Sequence, residues 1–382
     1  MHLVGRRRRY EEALRYARFA EAALARIGSP PQTVARLLAS RGTVLVATGR
    51  TEEGLAEYQA ARAIDVELYG EGDQAGLATV QHIGAAQTRL RRYAEAEKTF
   101  AQGLAYATEA VGTQHPTTAR FAMSYGGILA QLRRYDEARP HFEAGLATRQ
   151  AVLSRDDPEL AAAHRAFAVF ESNQGRYAQA DEHLAAAVTV LDRREPPDAD
   201  ELVSTLVERC STRYRLGEID EAWDHCLRAR TVAEAQPRPE PVGHFTSVNR
   251  LAIIAKRRGE PESAHALRVQ AITIGEQAWG PSNARLADPL LGAASIDIEQ
   301  GRAEAAVPRL RRAAELRRAD GTAHGQLPYN HLLLARALAE REPAQAQTHA
   351  QQAWRLAEEG GNADVRTLTA AWLRERALPL PQ

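Results

Sequence analysis

Thr51, Tyr93, Tyr135, Tyr177, Ile219, Pro261 and Ala303 stand 42 residues apart, and the same small side chains return around each of them. Nine residues before these markers come Gly42, Gly84, Gly126, Ala168, Cys210, Ala252 and Ala294. Three after come Gly54, Ala96, Ala138, Ala180, Ala222, Ala264 and Ala306; ten after come Ala61, Gly103, Gly145, Ala187, Ala229, Ala271 and Ala313. A fixed period of roughly 20–50 residues demands a stacked architecture, because one such unit cannot bury its apolar face alone. The functional question then becomes what lies along the stacked face.

The unit itself reads as two helices. After Pro116, the residues Phe121, Ala122, Tyr125, Gly126, Leu129 and Leu132 recur at three and four, the spacing of an amphipathic helix. Arg133-Arg134-Tyr135 interrupts it where other units carry Gly49, Gly175, Gly217, Gly259 or Gly301, and glycine just past a helix end is a favoured cap. Ala138, Phe142, Gly145 and Leu146 then share one face of a second helix. The small columns mark close helix crossings, where a larger side chain would overpack by about 1–3 kcal/mol.

The order of these columns resembles the tetratricopeptide repeat: Ala122, Tyr125-Gly126, Leu129, then Ala138, Phe142, Gly145. The 42-residue length and the link Val111-Gly112-Thr113-Gln114-His115-Pro116 are similar to the kinesin light chain type of that repeat, common in bacterial proteins. The resemblance implies an all-α, right-handed α-solenoid of about eight helix-turn-helix repeats with partial terminal units. The register divides the chain into a partial repeat at 1–28 (second helix only, with Arg6 to Arg9 in the preceding turn), seven regular units at 31–321, and a degenerate repeat with a capping helix at 322–382. Asn362 is the expected N-cap of that last helix. Entry halfway through a unit leaves the apolar face around Tyr10 uncovered, so self-association, or a longer protein upstream, is expected.

Composition narrows the function classes. Net charge is zero over 382 residues, which argues against nucleic acid as the main partner. No apolar run is long enough for a membrane span, and the basic start lacks the apolar stretch of a signal peptide, so the expected location is the cytoplasm. Lys98 and Lys256 are the only lysines, and the arginine-rich remainder reads as the codon bias of a GC-rich bacterial genome. Cys210 and Cys226 fall in small or apolar columns and are read as reduced core thiols.

The resemblance places the ligand surface on non-core positions of the first helices. There the sequence puts Arg89, Arg165, Asn173, Arg215, Asn249, Arg250, Lys256 and Arg257. Arginine gives bidentate donors for carboxylates and asparagine pairs with extended backbone, so the expected partner is a protein or peptide, acidic or held by its C-terminal carboxylate. The competing reading is a solvated face in an arginine-rich chain, and Glu208 would neutralise part of the strip. Phosphate loops, dinucleotide fingerprints and nucleophile elbows are absent from the sequence, and no metal, cofactor or catalytic residue is expected. His141, His183, His225 and His265 recur along second helices and read as a surface or interface column. The chain therefore reads as a non-enzymatic binding scaffold. An alternative by analogy is the sensor region of a larger bacterial signalling protein, such as a serine/threonine kinase or a nucleotide-binding regulator.

Overall fold

The computed structural model describes residues 2–195, 197–319 and 326–381, with side chains from residue 10 onward except at 74 and 75. Among the described residues there are eighteen α-helices, one short 3₁₀ turn at Ala284–Leu286 and no strand. The chain is an all-α repeat solenoid divided into two compact units, Met1–Asp198 and Ala199–Gln382.

The first unit opens with α1 (His2–Arg26). Four antiparallel pairs follow it: α2 (Pro31–Ala47) with α3 (Thr51–Tyr69), α4 (Gln74–Arg89) with α5 (Tyr93–Val111), α6 (Pro116–Gln131) with α7 (Tyr135–Val152), and α8 (Pro158–Asn173) with α9 (Tyr177–Asp192). The second unit holds α10 (Ala199–Leu216) with α11 (Ile219–Glu234), α12 (Pro241–Arg257) with α13 (Pro261–Trp279), α14 (Ala287–Glu299) with α15 (Ala303–Ala319), and α16 (Leu327–Leu338) with α17 (Pro343–Glu359). It closes with α18 (Ala363–Glu375).

Each of the seven sequence markers is the first residue of a second helix. The turn before it is set two residues earlier, where the backbone enters the left-handed region at Gly49, Gly175, Gly217, Gly259 and Gly301, and also at Arg91 and Arg133. First helices start on proline at Pro116, Pro158 and Pro241. Their caps are His115, Asp157 and Glu240, whose side chains accept from backbone N–H groups at Thr117 (3.2 Å), Glu159 (2.8 Å) and Gly243 (2.7 Å).

All the small-column residues are buried. A Cβ added at Gly84 would stand 2.5 Å from Phe100 Cζ, so the absent side chain is what lets α4 and α5 close on each other. The core is correspondingly serial: apolar clusters pass from pair to pair within each unit. Two buried carboxylates, both six residues before a marker, stitch neighbouring pairs. Glu171 receives Arg139 (2.6 Å) and Arg176 (2.5 Å); Asp297 receives Arg302 (2.9 Å), Arg309 (2.6 Å) and His265 (3.1 Å). Taken from water singly, such a charge would be costly, and several charge-assisted bonds offset that cost.

Within each unit, first helices also touch the next first helix, as α2 does α4, α6 does α8, α10 does α12 and α14 does α16. The first helices thus form a layer of their own in each unit.

Two expectations are corrected. Cys210 and Cys226 are not free thiols: their Sγ atoms are bonded, joining α10 to α11, with the Cα atoms 5.4 Å apart. The bulky residue seven after the marker packs on the small residue nine before it (Tyr58 near Gly42, Phe100 near Gly84), and in this pair both positions are cysteine. Nor is there a turn at Arg6 to Arg9, because α1 runs through them; no glycine or proline after Gly5 interrupts it, and arginine is a good helix former. The side chains of Arg6 to Arg9, and the expected boundary between residues 321 and 322, lie outside the described residues.

Candidate functional site

In the second unit, α12 and α14, both first helices, line with the start of α16 a cavity of about 480 Å³. Asn249, Arg250 and Lys256 line it from α12, Asp288 and Gly292 from α14, and Arg268 from α13 behind. The volume lies within the ordinary range of ligand pockets, roughly 300–1,000 Å³.

Charge on this wall is unevenly compensated. Lys256 Nζ pairs with Glu299 at 2.7 Å on the exposed surface. Asp288 is held by Arg317 at 2.7 Å. Arg268 donates from Nη1 to Asn249 Oδ1 at 2.5 Å, and among the described residues no carboxylate is ion-paired to it. Burial is the largest influence on its guanidinium and lowers its pKa to about 10; Asp288 opposes this and Arg250 adds to it. Arg250 is likewise lowered, by burial first and then by Arg215, with Asp288 and Tyr214 acting the other way. Both stay cationic at neutral pH. The wall can therefore accept an anionic group with little rearrangement.

The expected site residues fall into two sets. Asn249, Arg250 and Lys256 line the cavity; Arg257 ends α12 exposed, and Arg215 sits exposed on α10 within electrostatic range of Arg250. Arg89, Arg165 and Asn173 belong to the first unit. Arg89 reaches the Val46 carbonyl at 3.5 Å, Arg165 is partly buried and engaged, and Asn173 ends α8 exposed. Arg268 and Gly292 were not among the expected residues. Their signal lay in the repeat register: arginine stands seven after a marker, where Tyr58, Phe100, Phe142, Leu184, Cys226 and Leu310 stand in other units.

Several histidines meet their partners inside a hairpin, whereas His265 reaches the next pair. His183 on α9 meets His164 on α8, Nδ1 to Nδ1 at 3.2 Å, and His349 on α17 meets His331 on α16 at 3.0 Å. His141 packs edge-on against Tyr125, and His265 faces the Asp297 carboxylate. Each tryptophan packs beneath an arginine: Arg258 over Trp223, Arg285 over Trp279, Arg366 over Trp354 and Arg376 over Trp372. Among the described residues no group of three or more His, Cys, Asp or Glu side chains is arranged to hold a metal ion. No helix there is long and apolar enough to cross a membrane.

Residues 117–193 match the family model of the tetratricopeptide repeat. Among solved structures, the chain is similar to the apo form of the quorum sensor NprR from B. thuringiensis, with a TM-score of 0.57 and 17% identity over 80% of this chain and 87% of that one. It is also similar to aspartyl phosphate phosphatase F from Bacillus subtilis, at 0.54 and 12% over 92% and 97% of the two chains. A Rap protein complexed with Competence and Sporulation Factor scores 0.52 at 13% identity, covering 91% and 98%. At these identities the likeness is one of fold. No curated protein matches by sequence.

Proposed function

We propose that this tetratricopeptide repeat protein is a non-enzymatic scaffold that holds a peptide, or an extended segment of a partner protein, against the first-helix layer of its second unit. The observation that carries the reading is the cavity between α12 and α14. Its lining holds three cations, Arg250, Lys256 and Arg268, against one carboxylate, Asp288, which pairs with Arg317; Arg250 and Arg268 have no ion-pair partner among the described residues. A carboxylate-bearing ligand would supply the missing negative charge, while Asn249 and Asn362 offer amides to an extended backbone. The cytoplasmic setting belongs to the same proposal. Against it stands the Cys210–Cys226 bond, since disulfides persist mainly in oxidising compartments.

The test uses fluorescence anisotropy with a labelled pool of acidic hexapeptides. Reversing charge at Arg215 and Arg257 together should weaken binding roughly tenfold and flatten its dependence on salt. Equal binding by the wild type and the double variant at every ionic strength would reject the groove.

A second reading is favoured by the likeness to a quorum sensor and to a factor-bound Rap protein. On it the chain is the sensor region of a larger signalling protein, and its ligand is a signal. Reading the coding sequence on the 5′ side of Met1 tests this: an in-frame catalytic domain supports it, and an in-frame stop codon rejects it.

A further inference from the structure

In six of the seven units the column seven residues after the marker is a buried core position. Tyr58, Phe100, Phe142, Leu184, Cys226 and Leu310 are between 0% and 3% exposed there. In α13 the same position is Arg268. An arginine whose stem lies among packed helices must either find a carboxylate or bring its head to water. No carboxylate among the described residues pairs with it.

Room for the guanidinium comes from the neighbouring helix. Eleven residues before the marker, other units carry Ser40, His82, Ser124, Ala166, Glu208 and Arg250, but α14 carries Gly292. A Cβ at Gly292 would stand 2.5 Å from Arg268 Nε, so the guanidinium as placed occupies the space that a side chain there would take. There, Arg268 is oriented by its bond to Asn249 Oδ1 and opens on the cavity beside Arg250. The arrangement runs against core stability at two places in two helices, and both departures serve one side chain. Its only compensations are the amide of Asn249 and the field of Asp288, with no ion pair, and a local conflict of this kind marks a functional position.

We infer that Arg268, passing through the gap at Gly292 and steered by Asn249, is the specificity-determining anchor of the cavity and binds a carboxylate of the peptide ligand together with Arg250. The inference rests on the proposed groove and names the chemistry that the groove selects. The carboxylate has two sources, the chain terminus and an Asp or Glu side chain. Ile253 and Leu291 line the same cavity and receive the apolar part of the same ligand residue or its neighbour.

The experiment measures full-length protein by anisotropy against four labelled hexapeptide pools: free or amidated at the C-terminus, each with or without internal Asp and Glu. The wild type should prefer at least one carboxylate source tenfold or more over the pool lacking both. Arg268→Leu restores the residue found at 184 and 310; it should keep or raise Tm and abolish that preference. Gly292→Ala should keep the fold and also lose the preference, because the added methyl displaces the guanidinium. A free-terminus or side-chain preference in the wild type identifies the source, and either supports the inference.

The inference is overturned if Arg268→Leu lowers Tm and leaves the preference intact, which would make Arg268 structural. A phosphopeptide pool bound more tightly than both carboxylate pools would overturn it as well. Peptide binding that is weakened by charge reversal at Arg215 and Arg257, yet indifferent to carboxylates, overturns this inference and leaves the groove standing. No binding of any pool removes both.

Discussion

Arg133 and Arg91 hold positions where every other hairpin turn from Gly49 to Gly301 has glycine, and their backbones take the same left-handed conformation, at φ 62° and 59°. For a residue with a Cβ that conformation costs about 1–2 kcal/mol. The side chains offer little return, since the structure gives neither Arg91 nor Arg133 an ion pair among the described residues. Arg133→Gly is therefore expected to stabilise the chain by about 1 kcal/mol even though the unfolded state gains freedom, and Arg91→Gly by a similar amount. Urea unfolding of the single variants would show it as a raised midpoint; a lowered one would mean that the turn is not strained. At this scale the sequence was legible wherever a position repeats. The turn glycines and small columns could be read directly, because backbone sign and helix separation impose the same demand in each unit. Arg268 was legible only as a departure from its column, because the register reveals what packs at a crossing and not where a side chain from the second helix emerges.

At the scale of the helical pair, two hairpins are closed by imidazoles. Burial first, and the partner imidazole second, lower the pKa of His164 and of His331 to about 4; Arg318 adds to the effect at His331. His183 is also lowered by burial, with Glu171 and Glu182 opposing and Arg139 reinforcing; His349 follows burial, with Gln352 opposing and Arg311 and Arg318 reinforcing. Each folded pKa lies below the unfolded value near 6.5, so between those limits the unfolded chain binds more protons. The stability contribution is complete above pH 6.5 and declines as pH falls toward 4. Allowing for solvent screening of these partly exposed rings, the loss should be on the order of 1–2 kcal/mol per pair. Thermal unfolding from pH 7.5 to 4.5 should show Tm falling, and His164→Leu, with the residue found at 206 and 290, should remove roughly half of that slope. An unchanged slope would mean that the pair does not titrate as an internal contact. The histidine recurrence was visible in the sequence, but the matching His164 and His331 lie on first helices, and only the hairpin brings the two together. The disulfide was hidden for the same reason: Cys210 and Cys226 occupy two columns whose contact is known only once the helices are paired.

Across the whole molecule, the apolar clusters among the described residues are serial, each running through helices consecutive in the chain, the broadest from α10 to α15. The unbroken register from Thr51 to Ala303 made this architecture the most legible property of the chain, since stacking constrains every unit alike. Ligand choice was the least legible, because first-helix surface residues can change without disturbing any column. The same serial design limits how far damage can spread. Phe142 is buried against Phe167 at 5.5 Å and Phe170 at 4.7 Å, joining the α6–α7 pair to α8. Phe142→Ala removes a knob from both pairs and should cost about 3–5 kcal/mol locally. In a nearest-neighbour stack that loss appears as faster amide exchange across α6 to α9, with protection in α12 to α17 unchanged. A globally cooperative domain would instead lose protection everywhere by the same free energy. Hydrogen–deuterium exchange by mass spectrometry separates the two: a uniform loss would reject serial stability, whereas a loss confined to the neighbouring pairs would leave the α12–α14 cavity able to bind its peptide with unchanged affinity.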